Sequence, residues 1–369
     1  MAQVRIDPRA RAFLASLDAM GWPRMHERTP AQARRDYRLL ANLTSGWQPV
    51  ARMRDAIACD ADRRVRVRVY TPLRGRAPRP LLVYFHGGGF VVGDLETVDG
   101  LCRGLANEAG AVVVSVDYRR APEHPVPTAQ DDALAATRWA LRQARRLGAD
   151  PARVAVGGDS AGGTLAAIVA QQLRGDGPSP IGLQVLIYPA MDFTFSQTDR
   201  DPLLARLPTW QTVDWFDRHA MSGADRRDPR ISPAFMEDLA DVPRALIVTA
   251  AVDTFAGDAR RYAERLRAAG VDVTVADFDG QLHGFVTMDL VFPAARRARR
   301  LVAHAIAEME PVHAEPLTAA PEPIEWSGRG TALGPAAAQL WARNPARLLA
   351  QWSATVAQHR LRTAWRRLA

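Results

Sequence analysis

The sequence has no lysine, few cysteines and no long apolar run. All 48 of its Lys-plus-Arg positions are arginine. Its two cysteines, Cys59 and Cys102, stand far apart without a neighbouring Cys or His pattern, so their spacing predicts neither a metal site nor a redox pair. No segment approaches the roughly 20 apolar residues of a membrane-spanning helix. The amino terminus also lacks the basic start and apolar stretch of a secretory signal, so we expect a cytoplasmic protein.

The basic excess is a weak signal for an anionic partner. The formal net charge is +8, but most arginines alternate with Asp and Glu, which indicates a compositional bias and predicts no nucleic-acid partner. Residues 311–369 hold seven arginines against three glutamates. A basic partner surface is therefore expected there first.

The remaining composition is that of a folded enzyme-sized chain. Of 369 residues, 47% are hydrophobic and 24% charged, which excludes a mostly disordered chain. Helical stretches alternate with short β-branched runs, a pattern that predicts an α/β fold with a mostly parallel central sheet flanked by helices. The strand-like runs are residues 64–70, 81–85, 111–116, 154–156, 183–187, 245–249 and 271–276.

Two segments interrupt this alternation. Residues 1–46 are helical in pattern, and residues 189–233 contain no strand-like run. We expect both to form a cap on a single α/β domain spanning 1–310. Proline and alanine then dominate residues 311–333, which predicts a linker, and residues 334–369 predict a C-terminal helical extension.

The sharpest motif is Gly-Asp-Ser-Ala-Gly at 158–162, between a buried strand and an apolar helix at 164–170. A serine on so sharp a turn adopts strained backbone angles, and a side chain at Gly158 or Gly162 would collide with the neighbouring turn. Ser160 would then stand at the carboxyl end of the sheet, above a helix start that favours negative charge. This context predicts a nucleophile.

A glycine-rich stretch, His-Gly-Gly-Gly-Phe at 86–90, follows an upstream strand directly. Consecutive glycines let the backbone turn its N–H groups into an open site, as an oxyanion hole requires. We predict Gly88, Gly89 and Ala161 as the donors. A phosphate-binding loop is the alternative, but it would lack the usual lysine.

The nucleophile needs a base and a group that orients the base. His283 and Asp253 follow strand-like runs, and the order Ser160, Asp253, His283 is that of the α/β-hydrolases. His86 is a rival base and Asp279 a rival acid. We expect His86 instead to hold the glycine loop, and Asp279 to be a turn residue.

Other residues receive supporting roles. His86, Gly87 and Asp159 are expected to support the loop and the nucleophile, and no metal site is predicted. Three aromatic residues of the presumed cap are candidates for lining a substrate pocket, although packing within the cap is the alternative: Trp210, Trp215 and Phe216.

These motifs together resemble the hormone-sensitive-lipase-like family of α/β-hydrolases, notably its bacterial esterases. The resemblance rests on residues 86–90, 116–125, 158–162 and 283–285 and extends from about residue 7 to 310. It implies a cofactor-free serine carboxylesterase for small esters with short or medium acyl chains, capped by helices. The family often has Asp-Pro-Leu at the acid, whereas this chain has Asp-Thr-Phe at 253–255.

Alternatives remain open. Lactone or amide hydrolysis and acyl transfer would use the same machinery, and a non-catalytic ligand-binding protein on this scaffold is a further alternative. Residues 341–349 show a weak similarity to polyester-granule-associated proteins. Attachment of 334–369 to a lipid or polyester surface is one hypothesis for this extension, and a homodimer is another expectation.

Overall fold

The computed structural model describes residues 5–174, 179–196, 204–312 and 322–327. Nine strands in these residues form one sheet in the order β8-β7-β6-β5-β3-β4-β2-β1-β9. Their bounds are β1 Arg52–Asp60, β2 Arg63–Thr71, β3 Arg79–Phe85, β4 Val112–Asp117, β5 Ala149–Asp159, β6 Leu183–Ile187, β7 Ala245–Val252, β8 Val273–Leu282 and β9 Glu325–Trp326.

Strands β3 to β8 are parallel to one another, whereas β2 pairs antiparallel with β4 and β1, and β9 pairs antiparallel with β1. Helices cover both faces of the sheet. Their bounds are α1 Pro8–Ala19, α2 Pro30–Thr44, α3 Asp99–Ala109, α4 Thr128–Gln143, α5 Ala161–Gln172, α6 Trp210–Ala220, α7 Ala256–Ala268 and α8 Pro293–Ala307.

The period of two along each strand divides the core into two layers. On β3, Leu81 and Val83 pack into the layer that contains α4, α5 and α7, whereas Leu82 and Tyr84 pack into the layer that contains α3 and α8. All four side chains are buried. The sheet is thus buried on both sides, as the short apolar runs predicted.

The start of α2 also follows its sequence signal. Thr29 caps the helix by accepting from the backbone N–H of Gln32, and the Gln32 side chain accepts from the backbone N–H of Thr29. Pro30 occupies the first turn, where its missing N–H costs nothing. These local interactions fix where α2 begins.

The structure differs from the sequence expectations at the sheet edges. Strand β1 was not expected, because its apolar residues do not alternate regularly. Strand β8 continues to Leu282 and includes Asp279, so the prediction that Asp279 is a turn residue was wrong. Part of the expected linker forms β9, where Ala56 pairs with Trp326 and the Arg54 guanidinium lies 3.8 Å from the centre of the Trp326 ring.

The predicted C-terminal extension, 334–369, lies outside the described residues. Among the residues that are described, no helix is long and apolar enough to cross a membrane. The same residues contain no group of three or more His, Cys, Asp or Glu side chains placed to hold a metal ion.

Candidate active site

Ser160 stands on a sharp turn between β5 and α5. Its backbone has φ 56° and ψ −124°, a region that side chains rarely adopt, and its N–H donates to the Ile187 carbonyl at 2.8 Å. Cβ atoms at Gly158 and Gly162 would overlap the backbone, in both cases at the Phe85 carbonyl. Glycine at these two positions therefore lets the turn that carries Ser160 approach the end of β3 closely.

The Ser160 hydroxyl and two distant side chains form a chain of contacts. His283 Nε2 lies 2.8 Å from Ser160 Oγ, and His283 Nδ1 lies 2.8 Å from Asp253 Oδ2. An ionised carboxylate only accepts, so the Nδ1–H donates to Asp253 and Nε2 is free to accept from the serine. The other Asp253 oxygen accepts from the Phe255 backbone N–H at 2.9 Å. This hydrogen bond fixes the carboxylate.

The rival residues do not take part in this chain. His86 is fully buried, and its Nδ1 lies 2.8 Å from the Gly87 carbonyl oxygen, so it holds the glycine loop. Asp279 is exposed on β8, while Asp253 is 1% exposed beside His283. The order of residues in the sequence and the geometry therefore select the same three side chains.

The glycine loop faces Ser160. Gly88 and Gly89, with φ of +119° and +57°, line the same cavity as Ser160 and Ala161. No described residue accepts a hydrogen bond from the N–H of Gly88, Gly89 or Ala161. The predicted oxyanion donors are thus brought together with their hydrogen-bonding capacity unused.

Asp159 connects the glycine loop to the turn that carries Ser160. Its Oδ1 accepts from the Tyr84 hydroxyl at 2.8 Å and from the Gly87 N–H at 3.1 Å. Burial raises the pKa of Asp159 to about 6, against the opposing effect of the Tyr84 hydrogen bond. Burial also lowers the pKa of His86 to about 4, so this imidazole is neutral at pH 7.

A cavity of about 390 Å³ opens above Ser160. Helices α1, α2 and α6 contribute to its walls, together with residues 189–196 and the loop that precedes α6. Its lining is mostly apolar and includes Leu14, Leu17, Leu40, Phe193, Phe195, Val213, Phe216, Met221, Phe255 and Met288. The arrangement suits an apolar group attached to a reacting carbonyl.

Only one of the three predicted pocket aromatics lines this cavity. Phe216 does so, whereas Trp210 packs edge-on against Phe195 and Trp215 donates its indole N–H to the Arg28 carbonyl at 3.2 Å. The prediction was wrong for both tryptophans. At about 100° per residue, Thr212, Val213, Phe216 and Asp217 share the cavity face of α6, and Trp215 falls on the far side.

Sequence reasoning missed two aromatic neighbours of the imidazole. The Tyr188 ring centre lies 4.7 Å from that of His283, and the Phe255 ring centre lies 5.5 Å from it. Both residues line the cavity. Their position just beyond the ends of β6 and β7 was the available signal, because sites form at the carboxyl ends of parallel strands.

A nucleophile between strand and helix, with its acid and base beyond two later strands, defines the α/β-hydrolase class. A family model described as an alpha/beta hydrolase fold matches residues 82–287, more than half of the chain. The chain therefore belongs to the hormone-sensitive-lipase-like family of α/β-hydrolases, as its motifs predicted.

Curated relatives in this family are named as esterases. The chain is 44% identical over 247 residues to esterase LipI of Mycobacterium tuberculosis, an alignment covering 64% of this chain and 76% of that protein. It is 40% identical over 253 residues to an ethyl acetate hydrolase of Pseudomonas putida, covering 65% and 77%.

Solved structures show the same fold. An esterase of Pyrobaculum calidifontis has a TM-score of 0.75 at 36% identity and covers 82% of this chain and 99% of its own. A thermostable esterase of Pseudomonas putida has a TM-score of 0.78 at 28% identity, covering 85% and 100%.

Proposed function

We propose that the chain is a serine carboxylesterase that hydrolyses small esters through Ser160, His283 and Asp253. The observation that carries this proposal is the pair of 2.8 Å contacts that His283 makes, one to the Ser160 hydroxyl and one to the Asp253 carboxylate. The named activities of the relatives support the same reaction class.

The reaction proceeds in two acyl-transfer steps. Ser160 Oγ attacks the ester carbonyl while His283 Nε2 takes the hydroxyl proton, and His283 then gives this proton to the departing alcohol. Water repeats the sequence on the acyl-enzyme and releases the carboxylic acid. Asp253 keeps the imidazole in the tautomer that accepts at Nε2 and stabilises the imidazolium that forms.

Each step places a negative charge on the former carbonyl oxygen. The N–H groups of Gly88, Gly89 and Ala161 stabilise this charge, and Ala161 adds the positive end of α5, which begins there. Removal of one such donor typically costs about 3–4 kcal/mol of barrier. His86 and Gly87 act through the glycine loop, and Asp159 acts through its hydrogen bonds to the Tyr84 hydroxyl and the Gly87 N–H.

The substrate class follows from the cavity. Its mostly apolar walls favour an acyl chain over a polar group, and its volume of about 390 Å³ favours a chain of short to medium length. Helices α1, α2 and α6, which belong to the predicted cap segments 1–46 and 189–233, separate the reacting bond from bulk water. No cofactor is needed, because the side chains present supply nucleophile, base and charge stabilisation.

Replacement of the nucleophile tests this proposal. Ser160→Ala should abolish turnover of short p-nitrophenyl esters above the uncatalysed rate, and a fluorophosphonate probe should label Ser160 in the wild type only. Ser16→Ala, which changes an exposed serine on α1, is the matched control and should retain turnover. Turnover that persists in Ser160→Ala would contradict the proposed nucleophile.

Attachment to a lipid or polyester surface by 334–369 is a separate proposal, supported by the basic excess and tryptophans of that segment. Deletion after Ser327 keeps β9 on the sheet and should preserve soluble-ester turnover while lowering sedimentation with polyester granules. Equal sedimentation of the two chains would remove the surface role. A homodimer stays a prediction that the sedimentation coefficient of the full chain tests.

A further inference from the structure

We propose that Phe216 of the cap helix α6 is a positioning residue for the oxyanion hole, holding Gly89 in place by direct packing on its backbone. The inference rests on the proposed function, because it assigns Gly89 a donor role in ester hydrolysis. It gives the cap a part in the chemical step in addition to shaping the cavity.

The contact is close and involves one ring. A Cβ atom built on Gly89 would overlap the Phe216 ring, and the three heavy atoms nearest to that position all belong to Phe216. The third of them, Cδ2, would lie 2.7 Å away. An aromatic ring from another part of the chain therefore fills the space that a side chain at position 89 would occupy.

Hydrogen bonds within the loop, and one from the segment at Ala121, fix the shape of the turn that contains Gly89. The Gly88 carbonyl accepts from the N–H groups of Val91 and Val92 at 3.0 and 2.9 Å, and the Phe90 carbonyl accepts from Ala121 at 2.9 Å. Gly89 has no hydrogen bond to any described residue through its N–H or its carbonyl. The Gly88 carbonyl and the Gly89 N–H belong to one planar peptide, so the two bonds to Gly88 set the direction of this N–H within the turn, and the Phe216 ring supports the turn from the cap side.

Glycine is the least restricted residue of a backbone and visits positive and negative φ about equally. The +57° of Gly89 therefore depends on the hydrogen bonds that close the turn and on the packing around it. An oxyanion donor stabilises charge only when it is fixed in direction before the reaction. The Phe216 ring fills the space beside the Gly89 Cα and so opposes displacement of the turn towards α6.

The supporting ring is itself fixed by the cap. Its centre lies 5.4 Å from that of the Trp215 ring in an edge-on arrangement, and the Trp215 indole N–H donates a hydrogen bond to the Arg28 carbonyl. The same Phe216 ring lines the substrate cavity. An apolar acyl group in the cavity therefore packs against the residue that orients the donor.

Truncation of the ring separates positioning from binding. Phe216→Ala should lower kcat for p-nitrophenyl acetate by about tenfold to a hundredfold, part of the roughly 10²–10³ that complete loss of an oxyanion donor costs. Acetate is too short to depend on the cavity walls, so its loss in kcat reports on the oxyanion hole alone. The loss in kcat should therefore be equal for the acetate and hexanoate esters. Phe216→Tyr, which keeps the ring, should restore kcat.

A tetrahedral adduct gives a second readout. The inhibition constant of an alkylboronic acid, which bonds to the serine and places an oxygen in the oxyanion hole, should rise by the same factor as kcat falls. If Phe216→Ala does not fold, Phe216→Leu keeps an apolar side chain without a ring and should show a lower kcat and a higher inhibition constant.

Val213→Ala is the comparison variant, since it removes apolar surface from the same helix and cavity. Its effect should appear in KM and grow with acyl length. A Phe216→Ala loss that is below about tenfold in kcat, or confined to KM, overturns this inference while Ser160-dependent turnover keeps the esterase proposal. Wild-type turnover that survives Ser160→Ala would overturn both.

Discussion

The sheet side and the cap side of the cavity are held together by different forces. On the sheet side, directional hydrogen bonds fix the proposed catalytic groups and the loop beside them, as in the two contacts of His283 and the hydrogen bonds of Asp159 to Tyr84 and Gly87. On the cap side, apolar packing forms the walls. A hydrogen bond fixes a direction, whereas packing fixes a volume.

This difference predicts where substitutions should act. Changes on the sheet side should lower kcat, because the orientation of donors and acceptors matters only in the transition state. Changes on the cap side should shift preference among acyl chains. Phe216 is the exception we propose, since it belongs to the cap and contacts the oxyanion loop.

The largest expected effect is at the acid. Asp253→Asn should lower kcat for short esters by about 10⁴, because an amide at this position favours the tautomer with its proton on Nε2. Steady-state kinetics with p-nitrophenyl butyrate measure this loss. Asp279→Asn is the matched control on exposed β8 and should keep wild-type kcat; a large loss there would make Asp279 the acid and contradict the assignment.

A moderate effect is expected on stability at Asp159. Because its pKa is raised to about 6 in the fold, the folded protein retains a proton that the unfolded chain releases between about pH 4 and 6. Its contribution to the free energy of unfolding is thus fully present below the unfolded pKa and is lost as pH rises. Between pH 4.5 and 7 the loss amounts to about 2 kcal/mol.

Urea unfolding of Asp159→Asn and wild type at these two pH values measures that contribution. On going from pH 4.5 to 7, the variant should gain about 2 kcal/mol relative to wild type, since the amide does not titrate. Asp214→Asn, on the exposed face of α6, is the control. If the difference in the free energy of unfolding between wild type and variant is the same at both pH values, the raised pKa of Asp159 is contradicted.

The smallest effect is expected in the cap. Val213→Trp should narrow the cavity and reduce kcat/KM for p-nitrophenyl octanoate relative to acetate by about tenfold, equivalent to about 1.4 kcal/mol of lost contact. A graded acyl series measures the shift. Asp214→Ala, one residue away on the exposed face, should leave the series unchanged. An unshifted series for Val213→Trp would place the acyl group elsewhere.

The sequence predicted the sheet side of the site well because its signals are local. Ser160 lies between Gly158 and Gly162, which the turn requires, and the motif that contains Gly88 and Gly89 begins directly after β3. Placing His283 and Asp253 required only the rule that parallel strands present their carboxyl ends at one edge. Strand β1 escaped notice because its apolar residues do not alternate regularly, and the edge strand β9 because two residues are too few to show a period.

The cap side was predicted poorly because its signals are not local. Trp210 and Trp215 are as aromatic as Phe216, and only the rotation of α6 against the body decides which of them faces the cavity. The contribution of α1 through Leu14 and Leu17 likewise depends on where that helix docks. Composition alone does not carry this information.

The residue types and their spacing were enough to determine the kind of chemistry, since a strained serine turn and a glycine loop each require particular amino acids at fixed offsets. Tertiary structure alone decided the shape of the cavity and the packing of Phe216 on Gly89, two residues 127 positions apart in the chain. Side-chain packing between distant segments is not directional, so many apolar residues satisfy it and the sequence does not reveal which pair meets.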